Sequence, residues 1–139
     1  MIAMELFKQQ DWHDVESFTE PFLREIQDDK FFEELGNGVA LTAKKDGKVM
    51  ACGGIMYAPD GEGVTWLKAS RECLKSPVMW ARAFRDGFRM MQGVMDVKAV
   101  CYILKGFCEG GRVARLIGMK TTGEEVEQNG KTFIKYMAA

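Results

Sequence analysis

The side chains able to do chemistry are few and scattered in this 139-residue chain. His13 is the single histidine, so a Ser-His or Cys-His couple would have to use it, and no other feature points there. A capping or surface role near a helix end is its ordinary reading. Cys52, Cys73, Cys101 and Cys108 never form a Cys-x-x-Cys pair, which argues against a zinc site and for reduced, mostly buried thiols. Anion chemistry is best supported in the stretch Lys68 to Pro77, where Ser76-Pro77 reads as a cap followed by proline at the first helical position. A helix N-terminus attracts anions, and Arg71, Lys75 and Arg82 can add charge-assisted bonds. The stretch contains no glycine, however, and Pro77 has no N–H to donate. Arg71 and Lys75 therefore read first as solvated loop charges and Ser76 as a cap, with phosphate binding as the alternative. Arg82, Arg85 and Arg89 recur at helical spacing and read as a solvated face. Gly110-Gly111 is either an anion nest or a flexible approach to a helix.

Composition bounds the rest. A chain 47% hydrophobic and 28% charged suits one domain, residues 1–139, with an ordinary core. Net charge is −1, from 19 basic and 20 acidic residues, so no global field draws the protein to nucleic acid or an anionic membrane. No apolar run approaches the roughly 20 residues that cross a bilayer, and no signal-peptide pattern opens the chain. The expectation is a soluble, intracellular protein without a metal.

The elements that must position these residues follow from periodicity. Ile2 to Phe7 alternates and reads as a strand; Asp11 is expected to cap a short helix over Trp12 to Phe18, and a second helix opens near Pro21 and stops at Gly36-Asn37-Gly38. Val39 to Lys44 and Lys48 to Tyr57 flank Asp46-Gly47, a hairpin signal, and Val64 to Leu67 is a short further strand. Val78, Ala81, Phe84, Phe88, Met91 and Met95 give the surest helix. Val97 to Leu104 is then a buried strand parallel to Val64 to Leu67, with that helix as crossover. Arg112 to Ile117 is a short helix closed by Gly118, with Met119 placed to make the contact that accompanies a glycine cap. Glu124 to Gln128 and Lys131 to Met137 form a last hairpin around Asn129-Gly130.

This order, β-α-α-β-β-β-α-β-α-β-β, with Ala114-Arg115-Leu116-Ile117-Gly118-Met119 before the final hairpin, resembles the GCN5-related N-acetyltransferase (GNAT) fold over nearly the whole chain. A narrower resemblance, to small acetyltransferase-like proteins of tailed bacteriophages, rests on Gly47 to Gly54, Trp66 to Ser70 and Leu116-Ile117-Gly118. The resemblance implies an α/β (α+β) domain with a mixed, mostly antiparallel sheet of about six to seven strands and helices on both faces. It also implies acetyl-CoA or another acyl-CoA bound where two parallel strands splay. Trp66, Leu67 and Lys68 would then border pantetheine, and Arg71, Lys75 and Ser76 the diphosphate. The tyrosine that the family commonly has four residues before the Gly-Met position is Ala114 here, and its asparagine is absent from Leu104 to Cys108. Cys108 and Tyr102 are the available substitutes, although both are also ordinary packing residues, and no catalytic residue is assigned. The expected protein is acetyltransferase-like with a degenerate acyl-CoA site, a CoA-dependent N-acyltransferase if active. The alternative is a non-catalytic interaction or virion-associated protein that uses the fold as a scaffold for a protein partner. Its expected location is the cytoplasm, or the host cytoplasm or virion for a phage product.

Overall fold

The computed structural model describes residues 2–15 and 29–138. Their strands are β1 (Ile2–Leu6), β2 (Gly38–Lys45), β3 (Lys48–Tyr57), β4 (Glu62–Ala69), β5 (Lys98–Leu104), β6 (Met119–Gln128) and β7 (Lys131–Ala138). The helices are α1 (Gln9–Asp14), α2 (Asp29–Leu35), α3 (Pro77–Val94) and α4 (Cys108–Leu116), and a 3₁₀ helix spans Arg71–Lys75. The strands form one seven-stranded sheet in the order β1-β2-β3-β4-β5-β7-β6. Every neighbouring pair is antiparallel except β4 and β5. A parallel pair needs a crossover, and the 18-residue α3 supplies it.

Both expected hairpins form. Asp46 and Asn129 adopt positive φ, as do the glycines that follow them, which is the backbone a two-residue hairpin turn requires. The α1 boundary differs from expectation. Asp11 is not the cap but lies inside Gln9–Asp14, because its carboxyl is needed in two places at once: it accepts from the Lys8 N–H at 2.9 Å and from the buried Thr42 hydroxyl at 2.7 Å. The second helix's expected start near Pro21 lies outside the described residues. Toward the C-terminus α4 begins at Cys108 rather than Arg112, so Gly110-Gly111 is helical backbone and not a free loop. Its glycines serve close packing: a Cβ on Gly110 would stand 2.6 Å from the Phe107 ring, and one on Gly111 3.0 Å from the Tyr136 hydroxyl. The strand expected from Glu124 extends back to Met119, with an irregularity between Thr121 and Glu125.

Alternation along the strands divides the core into two layers. On one face α3 and α4 pack Phe88, Met91 and Ala114 against Ile55, Cys101 and Met119. On the other, α1 and α2 bring Trp12, Phe31 and Leu35 against Cys52 and Trp66, with the Trp12 and Phe31 rings edge-to-face at 5.2 Å. A bulge in β3 breaks this alternation. Ala43 faces Ala51 but Lys44 faces Val49, which leaves Met50 as an extra residue. Met50 packs with Trp80 and Cys73, and its carbonyl accepts from the Ser70 N–H at 2.8 Å. The bulge therefore fixes the chain where β4 ends and the 3₁₀ helix begins.

Two substitutions test this packing by chemical denaturation. Trp12→Ala removes a side chain only 1% exposed and is expected to cost about 3–5 kcal/mol. Gly63→Ala places a methyl 2.6 Å from Val97 Cγ2 and 2.7 Å from Ile55 Cγ2, and is expected to cost about 1–3 kcal/mol. A neutral result at Gly63 would mean that β4 and β5 are not held as closely as described.

Candidate functional site

The parallel pairing of β4 and β5 covers three residue pairs only, Glu62 with Lys98, Gly63 with Ala99 and Val64 with Val100. Beyond them β4 continues along β3 as far as Ala69 opposite Ala51, while β5 continues along β7 to Leu104 opposite Phe133. Each strand keeps its antiparallel partner and leaves its parallel one. The result is a cleft of about 430 Å³ whose walls include Thr65 and Leu67 of β4, Cys101 and Ile103 of β5, Phe84 of α3 and Val113 of α4. Past Val64 the edge of β4 that would face β5 has no strand partner, so its backbone is open to an extended chain of amides.

Two polar atoms in the cleft lining are buried with no hydrogen-bond partner among the described residues. They are the Thr65 hydroxyl oxygen and the Trp66 indole nitrogen. Buried donors are rarely left unpaired, because the lost solvation costs roughly 1–3 kcal/mol. Thr65 was not singled out from the sequence, since a threonine in an apolar run reads simply as a good strand former.

The six residues expected at the cofactor divide. Trp66 and Leu67 line the cleft; Lys68, Arg71, Lys75 and Ser76 do not. Lys68 is buried and turned toward α1, where its ammonium donates to the Trp12 carbonyl at 2.7 Å and lies 4.6 Å from the Trp12 ring centre. Strand alternation explains this, because Thr65 and Leu67 point to the α3 side of the sheet and Lys68, one residue on, points to the α1 side. Arg71 and Lys75 are exposed on the 3₁₀ helix, and Ser76 joins that helix to α3.

The 3₁₀ helix engages several of the backbone donors ahead of α3 within the chain. Ser70 Oγ accepts from the Glu72 N–H at 3.2 Å, the Cys73 N–H donates to the Ser70 carbonyl at 3.1 Å, and the Ser76 N–H donates to the Cys73 carbonyl at 3.3 Å. Pro77 contributes none. Glu72 adds a negative charge here, held by Lys48 at 2.6 Å, and that ion pair keeps its carboxyl below the usual range.

No tyrosine occupies the position four before Gly118; Ala114 is there, 2% exposed. Of the two substitutes, Cys108 is exposed and outside the cleft lining, whereas Tyr102 is half-buried and within it. Burial raises the Tyr102 phenol above its ordinary value, opposed by the Lys135 ammonium on the adjacent strand. Lys135 in turn bonds Glu62 at 3.1 Å, and this bond raises its own pKa. Three cysteines line the same cleft, and burial pushes Cys52 and Cys101 up to about 12 and Cys73 to about 11. They are therefore thiols at neutral pH and poor nucleophiles. Among the described residues no group of three His, Cys, Asp or Glu side chains converges to hold a metal. Nor is any helix among them long and apolar enough to cross a membrane.

Neither a protein-family model nor a curated protein matches this chain. Solved structures do. An acetyltransferase from Bacillus subtilis, solved with CoA, superposes with a TM-score of 0.70 at 12% identity, covering 99% of this chain and 98% of that one. An IAA acetyltransferase from Bacillus cereus gives 0.70 at 10% identity over 99% of both chains. An aminoglycoside acetyltransferase solved with coenzyme A and kanamycin gives 0.69 at 11% identity, covering 100% and 95%. A Bordetella pertussis protein described as a GnaT-family acetyltransferase gives 0.67 at 13% identity. The chain has the GNAT fold.

The buried thiols give a direct check on the cleft. In the native protein at pH 8, a thiol reagent is expected to label Cys108 quickly and the other three only on unfolding. Rapid labelling of Cys101 would mean that the cleft is open to water. The three raised thiols also set a sign: above the ordinary value of 9.0 the unfolded chain loses these protons before the native one, so stability falls as pH rises from 9.0 toward about 12. Denaturation midpoints should decline over that window.

Proposed function

We propose that this chain is an acetyltransferase-like protein whose cleft takes the pantetheine arm of an acyl thioester, at an acyl-CoA site altered on its diphosphate side. The observation that carries the reading is the buried Thr65 Oγ1, without a partner among the described residues, in a cleft bordered by the unpaired edge of β4. A pantetheine arm has amide groups spaced along a flexible chain and can satisfy both the strand edge and the hydroxyl. The fit differs at the two ends of such a ligand. The apolar cleft suits the arm; the approach to α3, where the Glu72, Cys73 and Ser76 N–H groups are bonded within the chain, Pro77 has none and Glu72 adds a negative charge, suits a nucleotide diphosphate less well.

An acyl thioester, when bound, supplies an activated carbonyl carbon for attack by an amine. The chain's part is to hold the arm along β4, to exclude water with the apolar walls, and to provide a proton for the departing sulfur. Tyr102 is the group in the cleft lining suited to the last role, because a phenol carries its proton at neutral pH and burial shifts it further from ionisation. A second reading, a non-catalytic scaffold that binds a protein partner, draws on Ala114 standing where an acid would serve and on the sequence resemblance to phage proteins.

Thermal unfolding with millimolar acetyl-CoA or S-acetylpantetheine tests the reading first. A ligand at 100 times its Kd adds about 2.7 kcal/mol, or roughly several degrees for a domain of this size. Thr65→Val is expected to weaken binding about fivefold, the value of one neutral hydrogen bond. Tyr102→Phe is expected to lower turnover about 100-fold with binding unchanged. No shift with either ligand would reject the reading and leave the scaffold in front.

A further inference from the structure

The cleft that fits an acyl arm opens onto a surface that does not fit a nucleotide but does fit a protein. Leu74 on the 3₁₀ helix and Leu116 on α4 both line the cleft and are 52% and 55% exposed. Val78, in the first turn of α3, is 65% exposed. A nucleotide has no use for three exposed aliphatic side chains, whereas such side chains at the centre of a patch are what a protein partner covers.

The charges around them are one-sided. Segments 70–89 and 107–117 hold seven Arg or Lys against three Asp or Glu, in a chain whose net charge is −1. Two of the three acids are engaged, Glu72 with Lys48 at 2.6 Å and Asp86 with Arg85 at 3.5 Å. Lys75, Arg82, Arg112 and Arg115 are exposed and make no ion pair among the described residues. Positive charge is thus concentrated on the two segments, 70–89 and 107–117, that contribute Leu74, Val78 and Leu116.

We infer that the acyl donor for this cleft is a thioester on the phosphopantetheine arm of an acidic carrier protein, which docks by complementary charge on the rim around Leu74, Val78 and Leu116. The inference rests on the pantetheine reading above and names its donor. A carrier-borne arm ends in one phosphodiester in place of a diphosphate and nucleotide, so it asks for fewer donors from a stretch whose Glu72, Cys73 and Ser76 N–H groups are already bonded within the chain. The acid surface of the carrier meets the arginines, and its apolar helix face covers the three aliphatic side chains. In the transfer, the acceptor amine nitrogen forms a bond to the acyl carbon, the carbon–sulfur bond breaks, and the carrier's thiol leaves with the proton the amine gives up.

Calorimetric titration of the full chain with three probes decides this: a bacterial acyl carrier protein bearing S-acetyl-phosphopantetheine, acetyl-CoA, and S-acetylpantetheine. The expected result is binding of the carrier at least about tenfold tighter than acetyl-CoA, weakening steeply with salt. The double variant Arg82→Glu/Arg115→Glu alters the rim outside the cleft lining, and should abolish that preference while S-acetylpantetheine binds as before. Acetyl-CoA binding as tightly as the carrier, or a carrier affinity indifferent to the charge reversal, would overturn the inference and leave the pantetheine reading standing. Failure of all three probes would overturn both, and self-association through the rim in place of carrier binding would assign the patch to a second copy of this chain.

Discussion

Everything that distinguishes this sheet depends on how briefly β4 and β5 stay together. Three parallel pairs join them, and Gly63 sits among these with no room for a side chain between Val97 and Ile55. Beyond Val64 the strands part because each is committed elsewhere: β4 runs with β3 for seven residue pairs, and β5 with β7 for five. Parallel pairing is slightly weaker per residue than antiparallel pairing, and adjacent strands twist against each other, so the parallel contact gives way first. The cleft is the space this leaves, and the unpartnered Thr65 hydroxyl lines it.

The same geometry assigns opposite characters to neighbouring residues of β4. Leu67 and Ala69 pack toward α3, whereas Trp66 and Lys68 face the layer built on Trp12. A lysine on β4 thus becomes a structural tie between that strand and α1, its ammonium compensated by the Trp12 carbonyl and ring. The β3 bulge acts at one remove: by freeing the Met50 carbonyl for Ser70, it fixes the start of the 3₁₀ helix that leads into α3.

The fold and the site also divide the protein's charge. A net of −1 conceals a basic rim around the cleft mouth and a more acidic remainder, and the rim coincides with exposed leucine and valine. Apolar and basic groups together favour a macromolecular surface over a small anion, since a small anion gains nothing from the aliphatic part.

What the sequence determined by itself was everything local. Asp46-Gly47 and Asn129-Gly130 dictated hairpins because few dipeptides accept two positive φ values in succession, and the apolar spacing from Val78 to Met95 dictated α3 because only one helical face brings those residues together. The element order, and with it the GNAT fold, followed. Tertiary structure decided what depends on residues distant in the chain. Asp11 lies within α1 because Thr42, 31 residues away, needs its carboxyl. Gly110-Gly111 is helical because Phe107 and Tyr136 leave no room for side chains. Lys68 left the candidate site because Trp12 lies on its face of the sheet, and Thr65 entered it because β5 turned away. Periodicity reports which face a side chain takes; only the packed chain reports what waits on that face.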